Sequence, residues 1–214
     1  MYENLHIKII NAEHRSDRKA ECLLELKKIG LTPPNDIFFK AKYINNLGAR
    51  GCALSHAMVL SEYLFNNDLP FALVLEDDFQ FISPHELNNT INNAIKYSNI
   101  WDVFLLGHNQ AVPIEKISTD NILRVINSQT TSGYIVNRTC APKIIEVFFR
   151  SAELLKNYSN LPSPNKEIAR HHVSADIIWK ELQLVYTFAA TFPSIINQRI
   201  SYSDIENKIV DYGV

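Results

Sequence analysis

Residues 71–79 read Phe71-Ala72-Leu73-Val74-Leu75-Glu76-Asp77-Asp78-Phe79, five apolar positions running straight into three acids. A continuously apolar run of this length suits a strand buried on both faces, the usual state of a strand inside a parallel sheet covered by helices. The acids are therefore expected at the carboxyl end of a central strand, where open α/β sheets bind their ligands. Three adjacent carboxylates repel one another and resist desolvation unless something positive meets them. A divalent cation is the natural partner. Mg²⁺ and Mn²⁺ take oxygen ligands, and one or two carboxylates plus the oxygens of a diphosphate complete their shell. The plainer alternative is that the acids only open a solvated loop or cap the next turn.

Outward from this stretch, short apolar runs alternate with amphipathic ones, the pattern of strand-helix-strand units around a largely parallel sheet with helices on both faces. Leu5–Ile10 is the first expected strand. Ser16 reads as an N-cap, and Cys22, Leu23, Leu26 and Ile29 form a helical stripe stopped by Gly30. A second strand is expected over Ile37–Ile44 and a helix over Arg50–Phe65. Pro84–Tyr97 reads as a helix, Trp101–Leu106 and Gly133–Val136 as strands, and Pro142 opens a helix reaching about Tyr158. Residues 159–165, with two prolines, read as a loop. A short helix over Ser174–Leu182, a strand over Val185–Ala190 and a polar tail from Ser201 complete the α/β reading, as one domain spanning 1–214 that is either whole or part of a longer chain.

Composition narrows the function. With 214 residues and 46% hydrophobic content the chain is long enough to bury a sizeable core. Lys plus Arg total 21 against 23 for Asp plus Glu, so no basic excess is available for a nucleic-acid backbone. Cys22, Cys52 and Cys140 are odd in number and widely spaced, which suggests neither a disulfide framework nor a metal knuckle and fits a reducing, cytoplasmic compartment. No signal-peptide pattern and no apolar run of membrane-spanning length are seen.

Several segments, in order along most of the chain, resemble glycosyltransferase family 25, which includes lipopolysaccharide-type sugar transferases. Ile9-Ile10-Asn11 with Arg15-Ser16-Asp17-Arg18 resembles the family's opening strand and basic turn. Gly51-Cys52-Ala53-Leu54-Ser55-His56 resembles its Gly-Cys-x-x-Ser-His helix, Leu73–Asp78 its Val-Leu-Glu-Asp-Asp strand, and Ser132-Gly133-Tyr134 with Arg138 its Gly-Tyr segment. The chain departs from the pattern at Asn11-Ala12-Glu13-His14 and at Val173-Ser174-Ala175-Asp176, where the family usually has Pro-Val-Asp. The resemblance implies a GT-A type fold, a nucleotide-sugar donor (a UDP-sugar favoured), Mn²⁺ or Mg²⁺, a glycan or glycoconjugate acceptor, and transfer with inversion.

On that resemblance Asp78 and Glu76 are expected to hold the metal, and Asp77 to act in catalysis or touch metal, ribose or sugar. Arg15 and Arg18, as guanidinium forks matched to phosphate, read equally as an ordinary helix start. Asn11, Ala12 and His14 are expected to line the nucleoside pocket, Arg50 to meet the donor, and Gln198 to contact sugar hydroxyls. Asp176 is the expected general base, with Asp102 its rival. Ser55 and His56 read equally as interior groups and as donor contacts. His171 and His172 read as a loop-surface pair, Gly107-His108-Asn109 as a border of the acceptor cleft, Cys52 and Met58 as core, and Tyr134 and Trp179 as sugar platforms or core. Two other classes compete: a nucleotide- or carbohydrate-binding module without turnover, and a Mg²⁺ phosphohydrolase, for which no further machinery is visible.

Overall fold

The structure, a computed structural model, describes residues 3–66, 68–162, 164–206, 208–211 and 213. In chain order its elements are β1 (Leu5–Asn11), α1 (Ser16–Lys28), β2 (Phe38–Lys40), α2 (Gly48–Asn66), β3 (Phe71–Glu76), β4 (Phe79–Phe81), α3 (Pro84–Lys96), β5 (Val103–Leu105), β6 (Val112–Lys116), β7 (Leu123–Ile126), β8 (Gly133–Asn137), α4 (Ala141–Tyr158), α5 (Asn165–Val173), α6 (Ala175–Ile178), a 3-10 helix (Trp179–Leu184), β9 (Phe188–Ala190), β10 (Ile196–Gln198), β11 (Ser201–Ser203) and β12 (Lys208–Val210).

Eight strands form one sheet in the order β2-β1-β3-β8-β5-β9-β7-β6. Only β8 and β7 run against the rest, so the sheet is mixed with most strands pointing one way. β3 explains its own sequence. Ala72 and Val74 join the core beneath α2 and α4, whereas Phe71, Leu73 and Leu75 join the core beneath α1 and α3. With both faces covered, alternation gives two apolar sets and no polar one.

The carboxyl ends of β1 and β3 and the beginning of the reversed β8 meet at one edge of the sheet. Space there is set by glycine. A Cβ on Gly133 would lie 2.3 Å from Ile196 Cδ1 and 2.8 Å from Leu75 Cδ2, and one on Gly107 would lie 2.9 Å from Ile196 Cγ1. Ile196, fully buried, thus seats β10 over the ends of β5 and β8, and β10 pairs antiparallel with β4, Gln198 opposite Phe79.

Several expectations are corrected. Ser16 is the first helical residue; Arg15 takes the N-cap position and makes no side-chain cap. Leu23 is 41% exposed and outside the stripe, while Gly30, at φ 69°, does end the helix region. The strand expected over 37–44 is confined to Phe38–Lys40 because residues 41–47 leave the sheet to line a cleft. His171 and His172 lie in α5, not a loop, and the helix expected over 174–182 is one α turn continued as a 3-10 helix. The tail from Ser201 folds as the β11–β12 hairpin. The strands β4, β6, β7 and β10 were not expected; they are short, and β6 is exposed throughout, so no apolar pattern marks it.

Candidate active site

A cleft of about 580 Å³ opens where β1 and β3 end, within the size range of small-ligand sites. Glu76, Asp77 and Asp78 all line it. Strand alternation is not the reason, since β3 stops at Glu76 and Asp77–Asp78 form the turn into β4. The turn lets three consecutive carboxylates face one space.

Each acid has its own surroundings. Glu76 ends β3, its N–H donating to the Ser132 carbonyl at 2.9 Å. Its Oε1 accepts from Thr131 Oγ1 at 2.5 Å and lies 3.2 Å from His56 Nε2, whose other nitrogen is 3.1 Å from the Tyr134 hydroxyl. Burial opposes the charge of Glu76, but the His56 and Thr131 contacts hold its carboxyl below the usual range. Asp77 accepts from Arg18 Nη1 at 2.6 Å and from Asn11 Nδ2 at 2.8 Å. Asp78 meets Arg18 Nη1 at 3.3 Å and Gln198 Nε2 at 3.4 Å. Burial, with Glu76 and Asp77 beside it, overcomes the pull of Arg18 and pushes the Asp78 carboxyl up to about 7. Asp78 is the acid whose charge is least answered.

The cleft wall is held by Ser55, whose hydroxyl donates to the Gly51 carbonyl at 2.7 Å and accepts from the Lys42 N–H at 2.8 Å, pinning residues 41–47 to α2. Lys42, Arg50, Lys166 and Arg170 bring positive charge to the lining of the same cleft. Arg50 Nε donates to the Ala152 carbonyl at 3.3 Å, and Lys42, Arg50 and Lys166 have no carboxylate partner among the described residues.

The segment 201–206 closes another side. Arg18 Nη2 donates to Ser201 Oγ at 2.7 Å and to the Tyr202 carbonyl at 2.9 Å. Arg170 reaches Glu206 at 3.1 Å, and Ile205 packs against Gly48. This segment and α5 were missed in the sequence; the only signal was Lys166 and Arg170, four apart on a helix with no buried residue.

Of the residues expected in the site, Ala12, Arg18, Arg50, Glu76, Asp77, Asp78 and Gln198 line the cleft. Asn11 stands behind it as the partner of Asp77. Arg15 and His14 are turned aside: Arg15 pairs with Asp17 at 2.8 Å and Asp204 at 3.2 Å, and His14 lies 3.3 Å from Asp204. Asp176 does not line the cleft, but Glu76 is near enough to add to the burial that raises its carboxyl above the usual range. Asp102 accepts from the Thr187 N–H at 2.8 Å, at the start of β5 and away from the cleft. Tyr134 and Trp179 are fully buried, so both are core. His108 packs on Phe192, ring centroids 4.4 Å apart, and His171 and His172 are exposed, all outside the cleft. Cys52, expected in the core, lines the cleft instead, and its thiol lies with His56 and Glu76 within a 4.8 Å group, raised well above its ordinary value by burial and by the acids.

Two donor sets therefore share Glu76. The carboxylate oxygens of Glu76 and Asp78 are of the kind a hard dication such as Mg²⁺ or Mn²⁺ takes, and the only cation in contact with Asp78 among the described residues is Arg18, shared with Asp77. Cys52, His56 and Glu76 form a mixed sulfur, nitrogen and oxygen group.

Comparison with known proteins adds a family. The model of glycosyltransferase family 25 (LPS biosynthesis protein) matches residues 34–155. No curated protein matches the chain. Among solved structures, A197 from STIV is 13% identical, with 96% of this chain and 92% of that one covered and a TM-score of 0.47. Mannose-1-phosphate geranyltransferase from Thermus thermophilus is 10% identical, covering 88% and 73% with a TM-score of 0.48. UDP-glucose pyrophosphorylase complexed with UDP-glucose is 13% identical, covering 90% and 93% with a TM-score of 0.47.

Proposed function

We propose that this chain, which belongs to glycosyltransferase family 25, moves a sugar from a nucleoside-diphosphate donor, a UDP-sugar favoured, to a hydroxyl of a glycan or glycoconjugate, with inversion at the anomeric carbon. Membership in the family implies sugar transfer; donor, metal and stereochemistry are our reading. The observation that carries it is the charge content of one cleft, whose lining holds Glu76, Asp77 and Asp78 together with Lys42, Arg50 and Lys166, three cations without a carboxylate partner among the described residues. A diphosphate accompanied by a dication would answer both kinds of charge.

In this reading Asp78 and Glu76 hold Mn²⁺ or Mg²⁺, which when bound supplies positive charge to the departing diphosphate. Arg50, Lys42 and Lys166 meet the remaining phosphate oxygens, and Ala12 and residues 43–47 border the nucleoside. Arg18 holds Asp77 in place. Asp176 takes the proton of the acceptor hydroxyl while that oxygen bonds to the anomeric carbon and the bond to the diphosphate breaks, its electron pair leaving with the diphosphate. Burial, with Glu76 nearby, raises the Asp176 carboxyl above its ordinary range, which makes it a stronger proton acceptor than an ordinary aspartate. The whole chain, 1–214, acts as one domain, in a reducing cytoplasmic setting that leaves Cys22, Cys52 and Cys140 free. Among the described residues no helix is long and apolar enough to cross a membrane.

A donor screen tests this. Diphosphate release from one nucleotide sugar, dependent on Mn²⁺ or Mg²⁺ and lost in both Asp78→Ala and Asp176→Asn, is the expected result. The position of Asp176 outside the cleft lining supports a second reading, a binding module without turnover. A nucleoside diphosphate would then raise the melting temperature, by about 2.7 kcal/mol of stabilisation at a hundredfold excess over Kd, without any release from its sugar. Neither stabilisation nor release from any donor overturns both.

A further inference from the structure

Thr130 has φ 68°, left-handed backbone that a β-branched side chain adopts only at a steric cost. The other non-glycine residues with positive φ among the described ones are Asn46, Gln110, Asn121 and Asn127, amide side chains at turns and loops. Thr130 is different in kind, and it is buried, 8% exposed. Something in the fold holds it there.

Its hydroxyl is committed in both directions. Thr130 Oγ1 accepts from the Ser132 N–H at 3.2 Å and lies 3.1 Å from Gln198 Oε1. A backbone N–H can only donate, so the hydroxyl proton is left to point at Gln198. The carbonyl oxygen of Gln198 must then face Thr130, which turns its Nε2 toward Asp78 Oδ1, 3.4 Å away. The next residue repeats the pattern at the other acid, Thr131 Oγ1 donating to Glu76 at 2.5 Å. Residues 130–132 thus reach both acids assigned to the metal, and none of the three lines the cleft.

We propose that Thr130 is a positioning residue: its left-handed backbone delivers a hydroxyl that fixes the direction of the Gln198 amide and so holds the Asp78 carboxylate in its working orientation. The proposal rests on the reading in which Asp78 acts at the diphosphate. Thr130 itself touches no substrate. Strain kept in a buried position is explained when relieving it would release a functional contact.

Three variants of the full chain separate this from a packing role. Thr130→Gly removes both strain and hydroxyl, Thr130→Val keeps the shape without the hydroxyl, and Thr130→Ser keeps the hydroxyl. The expected result is that Thr130→Gly melts at or above the wild-type temperature. Thr130→Gly and Thr130→Val are expected to bind Mn²⁺ on the order of tenfold more weakly and to lose a similar factor in kcat, with donor KM less affected. Thr130→Ser is expected near wild type in both. Combining Thr130→Val with Gln198→Met should cost no more than Gln198→Met alone, because one contact chain is being cut twice. Wild-type Mn²⁺ affinity and kcat in Thr130→Val or Thr130→Gly, equal impairment of Thr130→Ser, or additive losses in the double variant overturn the proposal while leaving the transferase reading intact. Wild-type protein that turns over no nucleotide sugar overturns that reading instead, and the Mn²⁺ affinities of the same variants still decide Thr130. Absence of Mn²⁺ binding by the wild type overturns both.

Discussion

The Arg18 guanidinium meets the Asp77 carboxylate at 2.6 Å with side chains only 11% and 9% exposed, in a cleft floor that also holds Glu76 and Asp78. One cation serves two acids, since Arg18 Nη1 lies 3.3 Å from Asp78 as well. Asp77 and Asp78 therefore share a single contacting cation, and the direction of their response to mutation follows.

Replacing Arg18 by Met leaves both Asp77 and Asp78 without their cation. Breaking a buried pair costs about 3–5 kcal/mol when a charge remains behind. Urea unfolding in EDTA should show a loss of that order, and Mn²⁺ should restore more stability to the variant than to the wild type. An equal metal effect on both proteins would contradict the dependence of both acids on this one cation.

Asp78 is expected to contribute a distinct pH dependence to the metal-free protein. Its folded value, about 7, lies above the ordinary 3.8 because of burial and then Glu76, so the native state holds the proton more tightly than the unfolded chain. The contribution of this group to stability is complete below about pH 4 and is lost as pH rises through about 7. Asp78→Asn escapes that loss. In EDTA its unfolding free energy, measured against wild type, should gain between about pH 5 and about pH 8, while turnover disappears; a gap unchanged with pH would show that Asp78 is not the group responsible.

Gly51 faces a backbone atom, not a side chain. A Cβ there would stand 2.2 Å from the Lys42 carbonyl oxygen, so Gly51→Ala must push residues 41–47 away from α2. A cost of about 1–3 kcal/mol is expected, as for other overpacked positions, together with weaker nucleotide protection in thermal melts. Unchanged stability would mean that the wall moves freely.

Gly133 offers a test with a built-in rescue. Gly133→Ala drives a methyl against Ile196 Cδ1, and Ile196→Val deletes that atom. The single change should lower the melting temperature and the double variant should recover part of it, short of wild type because Leu75 Cδ2 also stands 2.8 Å away.

The central strand and its acids were readable because burial on both faces leaves an unmistakable apolar run, and Arg18, Arg50 and Ala12 followed from their places just after the first strand or just before the Gly51-Cys52 helix. What escaped notice was set by geometry without sequence pattern. Residues 41–47 read as a continued strand because nothing local signals that Gly51 must admit the Lys42 carbonyl. Arg15 and Arg18 look alike in the sequence and both reach the Tyr202 carbonyl, yet Arg15, at the N-cap position outside the helix, pairs with Asp17 and Asp204 while Arg18 pairs with the acids. Asp176 lies in a single α turn that continues as a 3-10 helix only from Trp179, a break that period counting does not resolve.

The bond from Arg18 to the Tyr202 carbonyl joins residues 184 positions apart. Contacts of such long sequence separation are entropically late events. During synthesis the strands that carry the acids emerge long before residue 202, so the contact that closes this side of the acid-lined cleft can form only after them.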